Sequence, residues 1–128
     1  MSGFTVSYVA GGRFDPPFYP TKTQPYVKGI RLVMGSSDPI STHLFTMPKD
    51  GELISVAIAC SRYEDADHWD LIVNGKTIAE TIYTKELPEG LFLMVAHPIK
   101  TGDVLELQFH NVSSTAKSVW VNYQFLVD

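Results

Sequence analysis

Apolar and polar residues alternate along most of the chain, a period of two that marks half-buried strands. Phe4, Val6 and Tyr8 share one parity against Thr5 and Ser7, and Ile30, Leu32 and Met34 share one against Arg31. Residues 40–47 form a third predicted strand, closed by Pro48, Lys49, Asp50 and Gly51, whose proline and glycine suit a tight turn. Residues 53–60 are apolar on both parities, the pattern of a central strand covered on both sides. Trp69, Leu71 and Val73 then alternate with Asp70 and Ile72 and run into Asn74-Gly75. That dipeptide is a strong hairpin signal, because a type I′ turn needs positive φ at both central residues.

The return strand spans residues 76–83, with Ile78, Glu80 and Ile82 on one face. Residues 91–96 follow the breaker at 87–90, and Lys100, Thr101, Gly102 and Asp103 turn the chain into 104–110, where Leu105, Leu107 and Phe109 face one way. In the last strand, 118–127, Val119, Val121, Tyr123 and Phe125 point to one side and Trp120, Asn122 and Gln124 to the other. About nine strands with turns roughly every 8–12 residues, and no amphipathic helical window, predict an all-β, antiparallel β-sandwich. A jelly roll is the first expectation for its topology, then a Greek-key sandwich, then a closed barrel.

One segment breaks the alternation. Residues 11–20, continuing through Gln24, Pro25 and Tyr26, hold four of the eight prolines beside Phe14, Phe18, Tyr19 and Tyr26. Proline cannot donate to a ladder and its fixed φ favours an extended path. Residues 1–27 are therefore predicted as a first strand and an extended arm, and residues 28–128 as the sandwich domain. The arm's aromatics either cap an open end of the same sandwich or lie across a neighbouring subunit; stiff segments of this kind lose little entropy on docking.

Composition narrows the classes. At 128 residues the chain fits one domain. Charged residues are 19% and the formal net charge is −4, the wrong sign for binding nucleic acid through phosphates. Cys60 is the one cysteine, which excludes an internal disulfide or a Cys-rich zinc site. No apolar run approaches the length of a membrane helix and no secretory signal is apparent, so no membrane partner is expected.

Candidate chemistry is sparse. Glu64, Asp65, Asp67 and Asp70 place four hard oxygen donors within seven positions, a candidate for calcium, against the plain reading of a solvated acidic loop. His43, His68, His97 and His110 show no metal-ligand spacing, and no nucleophile elbow or phosphate loop occurs. An enzyme is not expected. Trp69 and Trp120, the latter beside Asn122 on the polar parity, invite a glycan platform; Trp120 also fits an interface anchor or packing within its own fold.

His68-Trp69-Asp70-Leu71-Ile72-Val73-Asn74-Gly75, then residues 82–86 and the closing Val119-Trp120-Val121-Asn122-Tyr123-Gln124-Phe125-Leu126, give the chain from near Ser55 onward a likeness. This half resembles small β-sandwich modules of tailed-bacteriophage virion proteins, particularly of Gram-positive hosts. The resemblance implies a structural subunit of capsid, tail or baseplate, located in the virion and acting by self-assembly with copies of itself and other virion proteins. Phe14, Phe18, Tyr19, Tyr26 and Trp120 are the expected interface residues. The alternative is a carbohydrate-binding module using Trp69, Trp120 and Asn122, for host-surface glycans.

Overall fold

The computed structural model describes residues 7–9, 12–14, 21–87 and 89–128. Among these it has ten strands and no helix: β1 (Ser7–Val9), β2 (Gly12–Phe14), β3 (Gln24–Met34), β4 (Ile40–Thr46), β5 (Gly51–Cys60), β6 (His68–Val73), β7 (Lys76–Tyr83), β8 (Glu89–Ile99), β9 (Val104–His110) and β10 (Lys117–Val127). β1 and β2 pair only with each other. The other eight form two four-stranded antiparallel sheets, ordered β3-β10-β5-β8 and β4-β9-β6-β7. Every connection from β3 to β10 crosses between sheets except the β6–β7 hairpin, and β3 and β10 themselves lie side by side. This is the jelly-roll order, so the expected antiparallel sandwich is present.

The core follows from the alternation. Leu105, Leu107 and Phe109 of β9, Trp69, Leu71 and Val73 of β6, and Val119, Val121, Tyr123 and Phe125 of β10 all point between the sheets and are buried. Each such side chain contributes roughly 1.5–3 kcal/mol by leaving water. Phe45 stacks on Tyr123 at 6.1 Å between centroids, and Tyr26 on Phe125 at 5.6 Å. The hairpin turn is as predicted, with Asn74 at φ 50° and Gly75 at φ 79°.

Three expectations shift. β3 starts at Gln24, ahead of Ile30 where the alternation begins, and accommodates Pro25 because it is an edge strand. Its entry is anchored by buried Glu52, whose carboxylate accepts from the Thr21 and Lys22 backbone N–H groups at 2.8 and 3.0 Å. In β7, Thr81 takes φ 53° at a bulge, so that Ala79 is the buried residue rather than a continuous Ile78–Ile82 stripe. The Asp70 carboxylate holds this bulge by accepting from Thr81 N at 2.6 Å. In β8 the register against β5 jumps from Leu53↔His97 to Ser55↔Phe92, which leaves residues 93–96 facing Ile54 alone. β8 is an edge strand, and it arches where it should pair.

Candidate functional site

The arch of β8 turns apolar side chains to solvent. Phe92, paired opposite Ser55 at the foot of the arch, is 76% exposed and Met94, within it, 89%; Val95, Leu87 of the preceding loop and Tyr83 of the edge strand β7 are exposed as well. Edge strands are normally protected by charge, proline or bulges; this bulge instead displays hydrophobic surface. Between β7 and β8 the side opens into a small cavity of about 40 Å³ lined by Cys60, Tyr63, Trp69, Ile82 and Leu91. Burial pushes the Cys60 thiol above its usual range, which keeps it a poor nucleophile.

The opposite side is bounded by the edges β3 and β4, whose outward-facing positions carry exposed apolar groups of their own: Val27 and Val33 on β3, Ile40 and Leu44 on β4. The two open sides differ in residues and shape. A contact that joined them would be head-to-tail, generating a ring or a filament.

The two broad faces also carry polar groups. On the β3-β10-β5-β8 face, Trp120 is 43% exposed and sits between Arg31 of β3 and Ala59 of β5. Asn122 lies between Gly29 and Ala57, so small neighbours leave Trp120 standing above a flat strip. A Cβ on Gly29 would come within 3.0 Å of Asn122 Oδ1, so a larger residue there would press on the Asn122 amide. Ser55 Oγ donates to Gln124 Oε1 at 2.6 Å beside it. On the other face His110 Nε2 meets Asp70 Oδ2 at 3.1 Å, and the His110 ring stacks on His68 at 4.5 Å.

Beneath one end of the sandwich lies a buried polar cluster. The side chains of Asp67, just before β6, and Lys117, the first residue of β10, are 1% and 0% exposed and in direct contact. Asp67 Oδ1 accepts from Ser113 N at 2.9 Å and Oδ2 from Ser113 Oγ at 3.0 Å, while Lys117 Nζ donates to Ser113 Oγ at 3.1 Å. Ser113 Oγ also lies 3.0 Å from Thr115 Oγ1, and Nζ sits 5.8 Å from the Phe109 ring centroid. Asn111 holds the loop by donating to the carbonyls of Gly35, Asp38 and Thr115. The Asp67 carbonyl accepts from Thr84 N at 3.0 Å.

Residues 22–128 match the family model described as Domain of unknown function (DUF8551). The chain belongs to this family. No curated protein matches the DUF8551 chain. Among solved structures it is similar to dimeric latent PorU from Porphyromonas gingivalis, with 13% identity over 86% of this chain and a TM-score of 0.38. The DUF8551 chain spans 14% of that protein's length, and a likeness at this level carries no argument about function.

The candidates from the sequence separate. Glu64, Asp65, Asp67 and Asp70 are not gathered into a calcium loop: Asp67 is committed to Lys117 and Ser113, Asp70 to Thr81 and His110, and Glu64 to Arg62. Among the described residues no three His, Cys, Asp or Glu side chains group to hold a metal. Trp69 is 1% exposed, so it cannot be a glycan platform; its alternation with Leu71 and Val73 carries it into the core. Trp120 and Asn122 do share an exposed face. Tyr26 is half-buried on Phe125, Phe14 closes β2, and Phe18 and Tyr19 lie outside the described residues. The alternation did not point to Lys117 and Ser113 as partners of Asp67, although Lys117 continues the inward parity of Val119 and Val121. Nor did it single out Phe92 and Met94, because the arch of β8 depends on its neighbour β5.

Proposed function

We propose that this DUF8551 chain is a non-enzymatic structural subunit that works by self-assembly, in a bacteriophage virion as the resemblance of its C-terminal half implies. The observation that carries the reading is the apolar arch of edge strand β8, with Phe92 and Met94 almost fully in solvent. Burying it against the apolar β3–β4 side of another copy would remove both liabilities at once. Light scattering on the purified chain tests this: the expected mass is several times 14.3 kDa. A single monomer at micromolar concentration, unchanged by concentration, would refute it.

A second reading is favoured by Trp120 above its strip of Gly29, Ala57 and Ala59, with Asn122 alongside: a platform for a sugar ring with a hydrogen-bonding amide. Glycan-array binding that disappears in Trp120→Ala would support it, and a blank array would remove it.

A further inference from the structure

The Asp67–Lys117 contact is placed for chemistry as well as for pairing. We propose that Asp67 and Lys117 condense into an intramolecular isopeptide bond, a covalent link between the two sheets formed without cofactor or oxidant. This inference is independent of the assembly reading.

The geometry supplies the parts that amide formation needs. The Lys117 nitrogen is held against the Asp67 carboxyl group through Oδ2, and holding reactants together in this way can replace a bimolecular encounter with an effective molarity of up to roughly 10⁵–10⁸ M. Both side chains are out of water, 0% and 1% exposed. Two desolvated charges are expensive to keep, whereas an amide carries none. The backbone N–H of Ser113, 2.9 Å from Asp67 Oδ1, is aimed at the oxygen that becomes an oxyanion when the carboxyl carbon is attacked. Ser113 Oγ bridges the reacting groups, 3.1 Å from Nζ and 3.0 Å from Oδ2.

The steps balance. The ammonium first gives a proton to Oδ2 across the contact, leaving an amine beside a carboxylic acid. The amine lone pair attacks Cγ, and the carbonyl electron pair moves onto Oδ1 against the Ser113 N–H. A second nitrogen proton passes through Ser113 Oγ to Oδ2. The Cγ–Oδ2 bond then breaks, Oδ2 leaves as water, and the Oδ1 pair restores the carbonyl. One carboxylate and one ammonium become one amide and one water, with no change of oxidation state.

Intact-mass measurement on the folded full chain reads the result directly. The wild type is expected to be lighter than its sequence by one water. Trypsin should release a branched peptide joining residues 63–76 to residues 101–128, because a modified Lys117 is no longer cleaved. Lys117→Arg keeps the charge and should have its full sequence mass. Ser113→Ala should slow condensation by about 100-fold, followed as the fraction of light species with time; an unchanged rate would remove its hydroxyl from the proton path. A wild type that stays at full sequence mass after prolonged incubation, or a Lys117→Arg variant that is equally light, would overturn the proposal.

Discussion

Tyr123 shows how a single side chain is constrained. Its ring is fully buried between Phe45 and Phe125, while its hydroxyl has no hydrogen-bond partner among the described residues. Burial alone pushes the phenol far above its ordinary range, so it stays neutral in any usable buffer. A buried hydroxyl without a partner is a liability of roughly 1–3 kcal/mol. Tyr123→Phe keeps the ring contacts and should leave stability unchanged or raise it by about 1 kcal/mol, read from urea unfolding. A clear loss would mean that the hydroxyl is satisfied after all. Lys117 is the opposite case. Its inward position could be read from the parity of β10, but its partner could not, because Asp67 lies fifty residues away in the chain.

At the scale of elements, short-range signals were the most legible. Asn74-Gly75 specifies its turn through the φ that only such residues adopt easily, and no other part of the chain has to agree. The neighbouring turns are tied together by two carboxylates. Asp103 accepts from Lys100 N and Asn74 Nδ2, and Asp50 from Thr101 N and Oγ1. These bonds, the backbone N–H donors foremost, hold both carboxyls below the usual value of 3.8. The folded chain therefore favours their ionised forms. Their contribution is complete above the unfolded value and is lost as pH falls through the lower folded values. Melting temperature should drop below about pH 4, and an Asp50→Asn, Asp103→Asn double variant should lose part of that drop. Identical acid limbs for variant and wild type would exclude the two turns. The arch of β8 lies beyond such reading: residues 91–96 look like any apolar strand, and only the jump in pairing against β5 shows that some of them face water.

For the whole molecule, the jelly-roll order leaves two unlike open sides, each with exposed apolar residues. Head-to-tail assembly has a consequence that two-fold pairing lacks. A Phe92→Lys, Met94→Lys variant and a Val33→Lys, Leu44→Lys variant should each fail to assemble alone, having lost opposite halves of the contact. Mixed in equal amounts they should form a heterodimer, since each retains the half that the other lacks. If light scattering finds only monomers in the mixture while the wild type assembles, the joining surfaces lie elsewhere.

The sequence by itself determined that this is an all-β chain, where its hairpin turns, and which parity of most strands is dry. Each of those features depends on residues close in the chain: alternation matches the pleat, and a turn needs its own φ angles. Only the tertiary structure decided which strands are neighbours, that the acidic loop gives up Asp67 to Lys117, and that β8 arches outward. These depend on pairing between segments distant in sequence, where register and burial are settled by the partner strand rather than by the residue itself.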